Sequence, residues 1–66
     1  MTITINGEER KVDNAITVRA LIEMLDLGKA ACAAEVNKTL VPRREHDSRR
    51  LNEGDVIELV SLVGGG

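Results

Sequence analysis

Val56-Ile57-Glu58-Leu59-Val60-Ser61-Leu62-Val63 runs directly into Gly64-Gly65-Gly66 at the end of the 66-residue sequence. The run from Val56 to Val63 reads as the last and longest strand. Side chains alternate across a strand, so Ile57 and Leu59 share the face that can meet a helix, and Val56, Glu58, Val60 and Leu62 share the other. Three of those four are apolar, on a face that should look at water. Two explanations stay open: a partner-binding patch, or a central strand whose ends are covered by neighbouring loops.

The segments upstream give this strand its neighbours. Met1, Ile3 and Ile5 alternate with Thr2 and Thr4, the pattern of a strand with one buried face. Asn6-Gly7 then signals a tight hairpin, because both residues tolerate the positive φ of a type I′ turn. Residues 8–12 return as an antiparallel strand. A two-residue turn sets Glu8 against Ile5, Arg10 against Ile3 and Val12 against Met1. That register places Arg10 on the core side, so either Arg10 snorkels along the sheet edge or the turn is wider and the register shifts. Thr17 is the expected N-cap of a helix over 18–26, with Ile16 and Leu21 at hydrophobic-staple positions. Val18, Leu21, Ile22 and Leu25 make one apolar stripe, and Gly28 can end the helix in a left-handed conformation. Cys32, Ala34 and Val36 share a face of the next strand, Asn37-Lys38 makes a turn, and Thr39-Leu40-Val41 is a short strand stopped by Pro42. Residues 43–50 are a polar loop, and Asn52-Glu53-Gly54-Asp55 is a turn cluster.

Strand, strand, helix, then two or three strands is an α+β order. One helix covers one face of a sheet, so the other stays open. With a hairpin first and the helix crossing over, the last strand can pair parallel to the first. The expected architecture is a β-grasp (ubiquitin-like) fold: a mixed four- to five-stranded sheet with one helix packed on one face. Residues 1–63 form the single domain, and 64–66 a flexible glycine tail.

Composition narrows the function. Apolar residues make up 42% and charged residues 30%, the balance of a globular domain. Phe, Tyr and Trp are absent and the net charge is −2. The chain therefore has no aromatic platform for base stacking and no general attraction to phosphate backbones. No apolar run approaches the roughly 20 residues of a membrane span, and with strand-like alternation from Met1 onward no signal peptide is expected. A cytoplasmic protein without nucleic-acid or membrane partners is expected. Cys32 is the single cysteine, so it has no internal disulfide partner; it reads as a small buried hydrophobe. His46 reads as a solvated loop residue. One His and one Cys cannot fill a structural zinc site, and no metal or bound cofactor is expected.

The glycines suit a particular chemistry. A C-terminal carboxyl, with a pKa of about 3.3–3.7, is ionised at neutral pH. It can attack the α-phosphate of ATP to give an acyl-adenylate, which a sulfur nucleophile opens to a thiocarboxylate. Glycine has no side chain to clash in a narrow enzyme channel.

Across its whole length the sequence resembles the ThiS family of sulfur carriers from bacterial thiamine (thiazole) biosynthesis. The resemblance rests on Ile5-Asn6-Gly7-Glu8, Thr17-Val18 leading into Leu21-Ile22, Val36-Asn37 followed by Leu40-Val41-Pro42-Arg43, Leu51 to Gly54-Asp55, and the glycine end. It implies that Gly66 is the adenylated residue, with Gly64 and Gly65 as its tail. It implies three partners: an E1-like, ThiF-type adenylating enzyme that consumes ATP, a cysteine desulfurase as sulfur source, and a ThiG-type thiazole synthase as acceptor. The carrier itself is then a cosubstrate without catalytic residues. Val56, Val60, Leu62 and Arg43 are the expected partner interface. Arg44, Arg49 and Arg50, with Arg43, read either as a solvated loop offset by Glu45 and Asp47 or as a contact with an acidic partner. A molybdopterin-type or other-pathway sulfur carrier, a ubiquitin-like protein modifier and a non-conjugating interaction module are the alternatives. A third glycine and the lack of an aromatic in the last strand are departures from the family pattern.

Overall fold

Asn6 and Gly7 adopt φ of 50° and 86°, and the two-residue turn they make fixes the register of everything built on it. In the computed structural model, which describes residues 1–25 and 32–61, β1 (Thr2–Ile5) pairs antiparallel with β2 (Glu8–Lys11). Ile5 faces Glu8 and Ile3 faces Arg10, the register of the tight turn. Val12 and Met1 continue the ladder through backbone bonds of 2.9 and 2.8 Å. Arg10 does not have to enter the core. Every residue of β2 is exposed, because β2 is the outer strand, beyond the reach of a seven-residue helix. Its Glu-Glu-Arg-Lys sequence guards that edge against pairing with another chain.

Helix α1 spans Val18–Met24, shorter than the 18–26 expected. The Thr17 hydroxyl accepts from the Ala20 N–H at 3.1 Å, the N-cap read from sequence. The N–H groups of Val18 and Arg19 donate to the carbonyls of Arg49 and His46, both at 2.9 Å. Leu25 caps the other end. Gly28, expected as the terminator, lies outside the described residues.

Strands β3 (Cys32–Val36) and β4 (Thr39–Val41) are joined by Asn37 and Lys38, which have φ of 51° and 70°. A 3-10 turn over Arg43–Glu45 follows, then β5 (Val56–Ser61). The sheet order is β2-β1-β5-β3-β4, with β5 parallel to β1 and antiparallel to β3. This is the β-grasp arrangement, with five strands.

The core lies between α1 and one sheet face. Val18, Leu21 and Ile22 pack with Ile3, Ile5, Ala34, Val36, Val41, Ile57 and Leu59, and Leu51 closes the end. Fully burying a Leu or Ile side chain contributes about 1.5–3 kcal/mol, so this one layer carries most of the stability of so short a chain. Two expectations need correction. His46 is not solvated: it is 7% exposed, and its Nε2 lies 3.1 Å from the Val41 carbonyl oxygen. The 3-10 turn rolls its ring under β4, where a carbonyl can satisfy it. Cys32 is half-buried rather than enclosed, since it lies at the margin where β3 meets Ser61.

Asp55 is buried as well. Its carboxylate accepts from Asn37 Nδ2 at 3.0 Å and from the Asn52 N–H at 2.8 Å. The turn before β5 is thereby tied to the turn between β3 and β4. No helix among the described residues is long and apolar enough to cross a membrane.

Candidate functional site

β5 is both the central strand and the one that leads to the glycines, so its setting defines the site. On the helix side Ile57 and Leu59 are buried. On the other side Val56, Glu58 and Val60 are exposed, with Val56 at 46% and Val60 at 56%. Of the two explanations for this face, cover by neighbouring loops therefore fails for Val56 and Val60. Leu40 on β4, 60% exposed, is a further large apolar side chain left to solvent. Its register partner Glu35 is opposite Glu58, which places Leu40 on the same open face.

Two side-chain amides hold β5 in place. The β1–β5 ladder pairs Thr4 with Val56 and Ile5 with Ile57. Beyond it, Asn6 Oδ1 accepts from the Leu59 N–H at 2.9 Å, and Asn6 Nδ2 donates to the Leu59 carbonyl at 3.3 Å. The amide thus imitates one more residue of strand. At the start of β5, Asn37 Oδ1 accepts from the Val56 N–H at 3.0 Å. The outgoing strand is anchored on both sides by turn residues whose left-handed backbone aims the amide inward. Sequence reading took Asn6 and Asn37 as turn formers alone; that both are Asn, a turn residue with a two-way hydrogen-bonding side chain, was the available signal.

The expected site residues fall into three groups. Val56 and Val60 are together, flanking Glu58 on the open face. Arg43 is exposed in the 3-10 turn after β4, two strands away from β5 in the sheet. Leu62, Gly64, Gly65 and Gly66 lie outside the described residues. The arginines are not one patch. Arg50 donates to the Ala15 carbonyl at 3.1 Å, Arg49 donates to the Arg50 carbonyl, and Arg44 is 3.9 Å from Glu45. A shallow groove beside β4, lined in part by Leu40, Val41, Glu45 and Arg49, does not include Val56 or Val60. Among the described residues no group of three or more His, Cys, Asp and Glu side chains is placed to hold a metal ion. Burial pushes the Cys32 thiol above its ordinary pKa, offset in part by a backbone hydrogen bond with Val60.

Comparison with known proteins places this geometry. The crystal structure of a thiamine biosynthesis protein (ThiS) from Geobacter metallireducens superposes with a TM-score of 0.83 at 29% identity, covering all of both chains. The sulfur carrier protein ThiS of Escherichia coli (strain K12) is 32% identical over 66 residues, again covering all of both chains. A thiazole synthase of Paramagnetospirillum magneticum is 38% identical over 66 residues; the whole chain aligns, but it spans only 20% of that protein's length. The ThiS family profile matches residues 3–66. Five strands in this order, a single helix on one face and a match carried through the glycines agree with one another: the chain belongs to the ThiS family.

Proposed function

We propose that this chain is a sulfur carrier, not itself a catalyst, which donates sulfur from the carboxyl of Gly66 for thiazole formation in thiamine biosynthesis. The observation that carries the reading is the alignment with the E. coli sulfur carrier, which runs through Gly66 and leaves no part of either chain unmatched. The thiazole synthase relative supports the choice of pathway, because a segment similar to this whole chain occurs within it.

In this reading a ThiF-type enzyme binds ATP and the carrier. A Gly66 carboxylate oxygen attacks the α-phosphorus, the bond to the β-phosphate side breaks, and pyrophosphate leaves. A cysteine desulfurase supplies sulfur as a persulfide; two thiols reduce it, releasing hydrosulfide and leaving as a disulfide, and the hydrosulfide attacks the acyl carbon as AMP leaves. The net change at the terminus is one oxygen replaced by one sulfur. A ThiG-type synthase accepts that sulfur. The carrier holds no cofactor of its own and works in the cytoplasm. The open face of β5, with Val56 and Val60, supplies the docking surface, and the glycines reach the partner's reacting groups without side chains to clash. Arg43 contributes at the rim.

The test is an intact mass after incubation with ATP, a sulfide source and the activating enzyme. The expected product carries one oxygen-to-sulfur exchange at Gly66. Adducts joining Gly66 to lysines of other proteins indicate a modifier. An unchanged mass with an active enzyme and a free Gly66 carboxyl refutes the carrier reading. Family membership favours the thiazole branch over a molybdopterin-type carrier, and sulfur transfer to purified thiazole synthase distinguishes the two.

A further inference from the structure

Glu35 on β3 and Glu58 on β5 are register partners, both exposed and both on the face away from α1. In the same ladder the Asn37 N–H donates to the Val56 carbonyl at 2.7 Å. The pair two residues along is therefore also a hydrogen-bonded one, with Cα atoms about 5.5 Å apart. Like charges directly opposite each other weaken a sheet. The ion pairs of the described residues join Arg19 to Glu23 and Asp47, and Arg44 to Glu45; neither Glu35 nor Glu58 takes part in one. Apolar side chains border the doublet. Val56 and Val60 flank Glu58 along β5, Leu40 is opposite Glu35 on β4, and Ala33 is opposite Val60. The face thus combines an unneutralised pair of carboxylates with large apolar side chains that solvent reaches.

We propose that this face docks an enzyme surface that places an arginine or lysine between Glu35 and Glu58 while its apolar side chains cover Leu40, Val56 and Val60. The proposal rests on the sulfur-carrier reading for which enzymes to try, and goes beyond it in naming what selects them. A single guanidinium can donate to both carboxylates through its fork of N–H groups. The apolar border excludes water from the contact, which strengthens the attraction. Repulsion that weakens the free sheet is thereby converted into preference for a cationic partner. The chain's net charge of −2 acts in the same direction during approach.

The test uses the full chain with purified ThiF-type activating enzyme and, separately, purified thiazole synthase. Dissociation constants are measured across a salt series for the parent, for Glu35→Gln/Glu58→Gln and for Val60→Asp. The expected result is that the double variant binds at least one enzyme about tenfold more weakly at low salt, with a shallower salt dependence. It should melt at or above the parent temperature, because a like-charge pair has been removed. Unchanged affinity and salt dependence of the double variant overturn the proposal. If Val60→Asp still weakens binding in that case, the apolar docking face and the carrier reading survive without the acidic contact. A parent chain that binds neither enzyme overturns the proposal and the carrier reading together. Dimerisation of the free chain that the double variant abolishes, with enzyme binding intact, assigns the face to a second copy and also overturns it.

Discussion

The Asn6 amide offers the sharpest test of how the fold directs its last strand. Asn6 combines a left-handed backbone, φ 50°, with two side-chain bonds to the Leu59 peptide, at 2.9 and 3.3 Å. Asn6→Gly keeps the backbone free to adopt that conformation and removes both bonds. At about 0.5–1.5 kcal/mol for each bond, the loss is about 1–3 kcal/mol; the added freedom of glycine in the unfolded chain contributes about another 0.5–1 kcal/mol. Asn6→Ala loses the same bonds and forces a Cβ into a left-handed turn, at a cost of about 1–2 kcal/mol, without the glycine entropy term. By these increments Asn6→Gly should fall by about 1.5–4 kcal/mol and Asn6→Ala by about 2–5 kcal/mol. For a domain of this size each kcal/mol moves the melting temperature by about 4–8 °C, so a drop of at least about 6 °C is expected. Amide hydrogen exchange gives a local readout: the Leu59 N–H should lose protection in both variants by more than the global change in stability accounts for, since its acceptor is the deleted group. An Asn6→Gly chain that melts within about 3 °C of the parent, with the Leu59 amide still protected, refutes the idea that this amide holds β5.

Deleting Gly65 and Gly66 should abolish ATP-dependent activation while leaving the melt almost unmoved; a large loss of stability means the glycines do more than chemistry. His46→Ala should destabilise by about 2–3 kcal/mol, through a lost buried hydrogen bond and a partly unfilled space, and a change under about 0.5 kcal/mol in chemical denaturation contradicts the burial described here. The Cys32 thiol, raised by burial, should react with iodoacetamide more slowly than a free small thiol at mildly alkaline pH, because less of it is thiolate. Its linkage has a definite sign: the folded pKa lies above the unfolded one, so the folded state holds the proton longer. Stability is unaffected below the ordinary cysteine range and declines as pH rises through that range. A Cys32→Ala chain should lose that part of the alkaline decline, which paired melts on either side of the range will measure.

The hairpin, the N-cap and the alternation of β5 were legible because each depends on residues close together in sequence. Asn6-Gly7 has few alternatives to a tight turn, and the Thr17 hydroxyl acts three residues away on Ala20. The position of Arg10 was not legible: a tight turn set it toward the core, which left the register open, and sequence does not show how far a helix extends over an edge strand. His46 was misread for a related reason. Flanked by Glu45 and Asp47, it has the surroundings of a solvated loop, and only the 3-10 turn and the carbonyl of Val41 make its burial tolerable. On the open face, the exposure of Val56 and Val60 followed from strand periodicity. Glu35 and Leu40 did not, since the opposition of Glu35 to Glu58 and Leu40 arises from pairing between segments far apart in the chain.

The start of α1 has a bearing on where chemistry can occur. Its leading N–H groups are engaged by the chain itself: Val18 by the Arg49 carbonyl, Arg19 by the His46 carbonyl and Ala20 by the Thr17 hydroxyl. The positive end of a helix is a common resting place for nucleotide phosphates, and here that place is already filled from within. The loop that folds back over this helix thus seals the one end where an anion would otherwise find three backbone donors waiting, and the same hydrogen bonds that fasten the loop remove that seat.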